Sequence, residues 1–157
     1  MKMNKGTTLI EVIIYIALFS ILLTGSFMSA MGLVDSNSKT RVSITVQDEG
    51  NFVMRKINWL ITNLDPTSPP TVTGSGCSQI LTVRKINYSL NPIVLRLNSN
   101  ILEISQGGGV FVPITTINVK VTCLEAEIIS TNELPLGVSA TTTINGTDFA
   151  ITKYLRK

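Results

Sequence analysis

The sequence predicts an α+β protein in which a long N-terminal helix packs on an antiparallel β-sheet. Three observations carry this prediction. An uncharged, mostly apolar run opens the chain, and a stripe of apolar residues at spacings of three and four follows it. The remainder consists of short β-like runs that turn residues separate. At 157 residues the chain has about the length of one domain.

The opening run is long and apolar enough to cross a membrane as a helix. No charged residue lies between Glu11 and Asp35, and about 20 mainly apolar residues span the hydrocarbon core. Residues 7–34 are therefore predicted to be a transmembrane helix. Glu11 is an exception in this helix, and ionisable groups in such segments usually mark a function. Gly25 and Ser26 either let neighbouring helices approach closely or act as filler.

The helix is predicted to continue through residues 35–64 as an amphipathic segment. It is expected to fray or bend at Asp35–Ser38 and to end at Asp65-Pro66, because proline lacks an N–H and restricts the residue before it. One face combines apolar residues with a single carboxylate: Val42, Val46, Glu49, Val53, Ile57, Leu60 and Leu64.

Residues 65–157 are predicted to form a β-rich globular domain. Thr67–Gly76 reads as a loop, Gly107–Gly109 as a flexible turn, and Asn145-Gly146 as a hairpin turn. The glycine run lacks the Lys-Ser/Thr of a phosphate-binding loop. The predicted strands are Gln79–Ile86, Ile93–Leu97, Ile101–Ser105, Val110–Val112, Ile117–Leu124, Val138–Ile144 and Phe149–Leu155.

Composition argues against catalysis and against nucleic-acid binding. The chain has no histidine, so the usual general base is missing, and its carboxylates are scattered. Glu125 and Glu127 share a strand face that we expect to be solvated. No basic run with interleaved aromatic residues is present, so nucleic acid is not an expected partner. We expect no enzyme activity, no cofactor and no metal.

The two cysteines, Cys77 and Cys123, both lie beyond the apolar run. In an oxidising compartment they are candidates for a disulfide. The alternative is two buried free thiols that pack as small hydrophobic side chains. A zinc site is not expected from one pair of cysteines without histidine.

The first residues carry a recognisable pattern, Lys5-Gly6-Thr7-Thr8-Leu9-Ile10-Glu11-Val12. It resembles the N-terminus of the type IV pilin family, which includes pilins, type II secretion pseudopilins and competence pseudopilins. The resemblance implies that residues 1–6 are a leader peptide. A prepilin peptidase would cut between Gly6 and Thr7, the new amine of Thr7 would be methylated, and Glu11 would be the fifth mature residue.

The family also implies roles and partners. Glu11 would pair with the amine of Thr7 in a neighbouring subunit and so set the register of filament assembly. The fold would be pilin-like, with residues 7–34 in the membrane and later in the filament core. The implied partners are the prepilin peptidase, other pilin or pseudopilin subunits and the bacterial inner membrane. A single-pass subunit would hold its globular domain outside the cytoplasm before entering a pilus or pseudopilus.

Several departures from major pilins favour a minor pilin or minor pseudopilin. Thr7 replaces the usual aromatic residue or methionine, Met28 lies where many major pilins have proline, and the cysteines do not bracket a C-terminal loop. The alternative is a single-pass membrane-anchored or secreted binding domain unrelated to pili, which would tolerate Glu11→Ala. A competence pseudopilin that contacts DNA has little support, because removing the leader lowers the formal charge from +3 to +1.

Overall fold

A computed structural model describes residues 8–129 and 137–154 of the chain. It contains one helix and eight strands within these ranges, and the chain divides into two compact units, Met1–Ser43 and Ile44–Lys157. The architecture is α+β and pilin-like, as predicted. The strands form two antiparallel sheets, however, where the sequence pattern led us to expect one.

The helix, α1, runs from Leu9 to Leu60. Within the first unit it continues through Asp35–Ser38, so the expected fraying there is wrong. An ion pair of 2.8 Å joins Lys39 to Asp35, and the Thr40 hydroxyl donates to the carbonyl of Ser36 at 2.9 Å. These bonds between residues four apart support a helix whose composition has become polar.

In the second unit, α1 buries one face against the sheets. The face is narrower than the predicted stripe, because Val42 is exposed and Glu49 is half-buried. The buried residues are spaced at three, four or seven positions, as expected for one side of a helix. They are Val46, Gly50, Val53, Ile57 and Leu60.

The helix ends at Leu60, four residues before the predicted end. Asn63 adopts a positive φ of 57°, a conformation that asparagine tolerates and that commonly terminates helices. Leu64 then pairs with Lys85 as an isolated antiparallel bridge. The amide of Asp65 donates to the carbonyl of Arg84 at 2.9 Å. Pairing with the segment that follows β2 therefore ends the helix before Pro66 does.

Five strands form the larger sheet in the order β1-β2-β3-β4-β5, and three form the smaller sheet in the order β6-β7-β8. Every pair is antiparallel. The strands are β1 Thr71–Thr73, β2 Ile80–Val83, β3 Ile93–Asn98, β4 Ile101–Gln106, β5 Val112–Pro113, β6 Val121–Ile129, β7 Gly137–Ile144 and β8 Thr147–Tyr154.

Three strand predictions need correction. The strand predicted at Val110–Val112 is β5, which comprises only Val112–Pro113. β1 lies inside the segment predicted to be a loop, where it pairs with β2. The run predicted at Ile117–Leu124 begins later and extends further, as β6. The hairpin turn at Asn145-Gly146 is confirmed, because both residues have positive φ, 48° and 82°, as a tight two-residue turn requires.

One apolar core joins the helix face to the inner faces of both sheets. Buried and accessible residues alternate along β7, which is the pattern of a strand with one face on a core. The largest fully buried side chains come from the helix and from both sheets: Ile57, Leu60, Ile61, Leu81, Ile93, Leu95, Leu102, Leu124 and Ile144.

Candidate functional site

The first unit presents an apolar surface on every side of the helix. The large apolar side chains from Leu9 to Val34 are 42–81% exposed. The most apolar stretch of α1 has a mean hydropathy of 2.2, and none of it is buried by the rest of the chain. A helix that is apolar all round needs an apolar environment, either lipid or other helices.

Several hydroxyl groups in this surface donate hydrogen bonds within the helix itself. Ser20 donates to the carbonyl of Ile16 at 2.8 Å, and Thr24 donates to the carbonyl of Ser20 at 2.8 Å. Ser29 donates to the carbonyl of Gly25 at 3.0 Å. Because unsatisfied polar groups are costly in hydrocarbon, these bonds make the segment compatible with lipid.

Glu11 lies in the first turn of α1 and is half-buried. Its amide donates to the carbonyl of Thr8 at 3.0 Å, and its Oε1 accepts a hydrogen bond of 3.2 Å from the hydroxyl of Tyr15. A carboxylate in the first turn interacts favourably with the positive end of the helix dipole. One turn later in the sequence, Tyr15 supplies a neutral donor and leaves the negative charge available to a cation.

The other predicted residues of the N-terminal site are Gly6 and Thr7, which lie outside the described residues. Cleavage between them and pairing of the Thr7 amine with Glu11 therefore remain predictions. At Gly25 an added Cβ would have no atom of the chain within 4 Å. This part of the helix surface is open to a neighbouring helix.

The two cysteines form a disulfide with an S–S distance of 2.06 Å. It links the segment before β2 to β6, where Leu124 also exchanges backbone hydrogen bonds with Cys77 and Gln79 at 2.9 and 3.2 Å. Glu125 Oε1 lies 3.9 Å from Cys77 Sγ. Cys77, Cys123 and Glu125 are the one group of potential metal ligands close to one another in the described part of the chain. The two sulfur atoms are joined in a disulfide, however, so they cannot bind zinc as thiolates.

Several carboxylates of the second unit bind neighbouring groups of the folded domain. Asp65 accepts hydrogen bonds from the amide and hydroxyl of Thr67, which lower its pKa. Arg96 pairs with Glu103 at 2.8 Å, and Thr143 donates to Asp148 at 2.7 Å. Glu125 and Glu127 lie exposed on one face of β6, as predicted.

Two cationic side chains that sequence reasoning missed lie at the C-terminal end of α1. The last turn of the helix contains no basic residue. Lys85 instead donates to the carbonyl of Trp59 at 2.7 Å, with its Nζ 4.0 Å from the indole centroid. Lys153 donates to the Asn58 side chain at 3.1 Å and to the Thr62 hydroxyl at 2.6 Å. Cations are favourable at this end of a helix dipole.

Lys85 is only 8% exposed. Burial, reinforced by the positive charge of Lys153, lowers the pKa of the Lys85 ammonium group. Only the fold brings these lysines to the helix end, because Lys85 lies 26 residues from Trp59 and Lys153 lies 95 residues from Asn58.

Glu49, the carboxylate in the predicted apolar stripe, also binds a group that lies far away in the sequence. Its carboxylate accepts hydrogen bonds from the hydroxyl of Thr116 at 2.6 Å and from the backbone amide of the same residue at 3.4 Å. This contact explains why a carboxylate interrupts an apolar stripe, since it ties the helix to the loop before β6.

Comparison with known proteins gives one match. Residues 1–27 match the family described as the prokaryotic N-terminal methylation motif. The matched range contains Gly6, Thr7, Glu11 and most of the exposed apolar helix surface. Neither the curated proteins nor the solved structures gave a match.

Proposed function

We propose that this chain, a type IV pilin-like protein by its methylation motif and its long apolar helix, is a minor pilin or pseudopilin subunit. The motif indicates a pilin-type protein that a prepilin peptidase would process, and a structural rather than an enzymatic subunit. Its partners would be that peptidase and other subunits of the same type. The observation that carries the proposal is the position of Glu11. This carboxylate lies at the head of an exposed apolar segment that carries no other charge.

In the proposed mechanism, Glu11 guides a subunit from the membrane into a filament. Cleavage after Gly6 would create a free amine at Thr7, four residues before the carboxylate. In a low-dielectric environment, the attraction between the amine of one subunit and the carboxylate of another offsets part of the free-energy cost of desolvating both groups. A subunit displaced along the filament axis would lose that pairing, so the pair selects one axial position.

The apolar surface from Leu9 to Val34 would serve two environments in turn. In the membrane, lipid would cover it, and in the filament the helices of neighbouring subunits would take the place of lipid. The internally satisfied hydroxyls suit both states, because they need no partner from water. The globular domain, with its buried core and disulfide, would lie outside the cytoplasm and later on the filament surface.

A minor rather than a major subunit is supported by Thr7, by Met28 in place of a proline, and by the position of the disulfide. Cys77 and Cys123 join the middle of the globular domain and leave its last hairpin, β7–β8, outside the closed loop. A minor subunit would be a small fraction of the protein in isolated filaments. Quantitative mass spectrometry of sheared filaments tests this, and a composition dominated by this chain would contradict it.

The role of Glu11 is tested by Glu11→Gln in cells that contain the prepilin peptidase and an assembly machinery. The amide keeps the size and the hydrogen bond to Tyr15 but removes the charge. We expect cleavage and membrane insertion to persist, while the amount of this chain in the filament fraction falls by about tenfold or more, as loss of a desolvated charge pair implies.

A matched control is Asp35→Asn, which removes a carboxylate at the other end of the apolar run, where Lys39 is its partner. This variant should enter filaments at the wild-type level. Normal filament incorporation of Glu11→Gln would contradict the proposed role of Glu11.

A further inference from the structure

The strand β8 forms an open edge of the smaller sheet. The strand order is β6-β7-β8, so β8 pairs with β7 on one side and with no strand of the described chain on the other. β8 is eight residues long, contains no proline, and keeps its register with β7 from Thr147 to Tyr154 without a bulge. Edge strands in proteins usually avoid this combination, because a long and regular edge invites pairing with another chain.

The free backbone groups of this edge belong to Asp148, Ala150 and Thr152. Ile144 and Thr147 flank the two-residue turn and form a hydrogen-bonded pair, so every second residue of β8 from there on bonds to β7. The residues between them direct their N–H and C=O groups away from β7. In the described part of the chain, these outward groups have no backbone partner. They are therefore available to an added strand.

The core is incompletely covered at the same edge. Phe149 and Ile151 lie on the helix side of the sheet and pack against the core, but both stay half-buried. Lys153, the one lysine of β8, lies on the same side and binds Asn58 and Thr62, so its charge already has partners on the helix side. Apolar side chains of an added strand would remove more of Phe149 and Ile151 from water, which is favourable.

The outer face of the smaller sheet is acidic. Its side chains stand in three rows that cross the sheet from β6 to β8, because paired residues lie side by side on one face. The rows contain three carboxylates and neither lysine nor arginine. From β6 to β8 the rows are Cys123, Thr143 and Asp148; Glu125, Thr141 and Ala150; and Glu127, Ser139 and Thr152.

Glu125 and Glu127 are available to a cation that approaches from the edge of β8. Both are exposed, and neither has an ion-pair partner among the residues that the structure describes. A cavity of about 270 Å³ is lined by both glutamates together with Ser139 and Thr141. Because the β8 residue in the row of Glu125 is the small Ala150, a long basic side chain on an added strand can lie over this row. Its charge would then come within the Debye length of about 8 Å from the glutamate.

We propose that β8 binds an extended segment of a partner protein, which adds to the smaller sheet as a further strand. The segment would alternate in character, with apolar side chains towards Phe149 and Ile151. Its basic side chains would lie over Asp148 and over the rows of Glu125 and Glu127. Backbone hydrogen bonds would supply affinity, and the alternating side chains would supply selectivity. The proposal goes beyond the proposed function, because it involves neither the apolar helix surface nor the carboxylate within it.

A second copy of this chain fits the edge less well than a basic partner does. β8 runs in the same direction as the nearby part of α1, since Phe149 faces Gly50 and Lys153 binds Asn58. Antiparallel pairing of two β8 strands would therefore set these parts of α1 in opposite directions, whereas two copies anchored in one membrane would point the same way. It would also place two acidic outer faces side by side, which is unfavourable.

The test uses the full-length chain in a nonionic detergent, with short fluorescent peptides as probes. One peptide alternates valine and lysine, and a second alternates valine and glutamate. A third is the valine–lysine peptide with a methyl group on the backbone nitrogen of each lysine, which removes the donors that would face β8. Fluorescence anisotropy should show binding of the first peptide and at least about tenfold weaker binding of the other two. Equal binding of the valine–lysine peptide and its methylated form, or no binding of any peptide, would overturn the proposal.

Ala150→Pro tests the edge from the side of the protein. It removes an N–H that points away from β7, and edge strands tolerate proline at such positions. The variant should bind the valine–lysine peptide about tenfold more weakly. Ala150→Thr keeps the N–H and is the matched control, which should bind the peptide as the wild type does. Wild-type affinity of Ala150→Pro would contradict strand addition at β8.

Glu125→Gln combined with Glu127→Gln tests the basic character of the partner and leaves β8 unchanged. This variant should bind the valine–lysine peptide about fivefold more weakly, and added salt should weaken it less than the wild type. The control, Asp35→Asn with Asp48→Asn, removes two exposed carboxylates of α1 and should not change the affinity. Unchanged affinity of the glutamate variant would overturn the basic partner. A wild-type homodimer that Ala150→Pro dissociates, measured by light scattering, would show that a second copy occupies the edge instead.

Discussion

Glu11 is a carboxylate in an otherwise apolar helical segment, and its neighbours reduce the free-energy cost of placing it there. A carboxylate inside an apolar helix costs roughly 2.5–3.5 kcal/mol on insertion scales. Its position in the first turn and the hydroxyl of Tyr15 offset part of this cost. Neither neutralises the charge, so the remaining cost provides a reason to bind an amine. The sequence identified Glu11 through its isolation, but it gave no hint of Tyr15 as a partner.

Gly50 is a residue whose small size the packing requires. A Cβ at this position would overlap the ring of Phe149, which packs against the helix from β8. We therefore expect Gly50→Ala to destabilise the globular domain by about 1–2 kcal/mol, because overpacking outweighs the roughly 1 kcal/mol gain in helix propensity. Chemical denaturation of the full chain in detergent measures this.

Phe149→Leu should relieve part of that loss, so the double variant should be more stable than the sum of the two single changes predicts. Gly32→Ala serves as the control, since an added Cβ there meets no atom within 4 Å. Strict additivity of Gly50→Ala and Phe149→Leu would show that the two positions do not touch.

Lys85 makes the stability of the domain depend on pH in the alkaline range. Its pKa is lowered by burial and then by Lys153, while in the unfolded chain it returns to the ordinary lysine value of 10.5. Between these two pKa values the unfolded chain binds more protons than the folded one. The contribution of Lys85 to the free energy of unfolding therefore rises with pH across that window and falls as pH drops through the lowered pKa.

Lys85→Met is the non-titrating reference for this prediction. The free energy of unfolding of the wild type, minus that of Lys85→Met, should increase as the pH approaches 10.5. A difference that stays constant, or that decreases with rising pH, would contradict the burial of a charged Lys85 against Trp59.

At the scale of elements, local patterns predicted the helix and most strands, and they failed where distant segments meet. The early end of α1 depends on Leu64 pairing with Lys85, which no local pattern contains. β1 lies in a segment rich in Pro, Thr and Gly, and it is a strand because β2 offers it an antiparallel edge. The division into two sheets likewise follows from tertiary packing, not from the alternation within any strand.

The disulfide connects β6 to the segment that leads into β2. The same two segments share two backbone hydrogen bonds, the parallel bridge Ser78–Leu124 and a hydrogen bond from the amide of Ala126 to the side chain of Gln79. The disulfide closes a loop with a sequence separation of 46. We expect the double substitution Cys77→Ser with Cys123→Ser to lower the free energy of unfolding by roughly 3–4 kcal/mol.

Denaturation of the double variant in detergent, compared with the wild type with and without a reducing agent, measures this loss. Reduction should lower the stability of the wild type to that of the double variant and should leave the double variant unchanged. Equal stability of the oxidised wild type and the double variant would show that the two sheets hold together without the bond.

At the scale of the whole molecule, the two units divide the chemistry between them. The first unit carries most of the exposed large apolar side chains and one carboxylate among them, whereas the second carries a buried core and a more charged exterior. From the sequence we expect a boundary at Asp35, where the composition becomes polar, whereas the compact units of the structure divide between Ser43 and Ile44. The sequence could not predict which sides of α1 remain exposed, since that depends on how the strands pack on the helix.

The proposed function depends on processing of this chain by a prepilin peptidase. The most direct test is the N-terminus of the membrane-extracted protein, determined by intact mass and N-terminal sequencing with the peptidase present or absent. We expect a chain that begins at Thr7 only when the peptidase is present, with a methyl group on the new amine where the methylating activity is also present. A chain that still begins at Met1 with the peptidase present would contradict it. So would a chain that is cut near Gly32, as a secretory signal peptide with the small-x-small site Ala30-Met31-Gly32 would be.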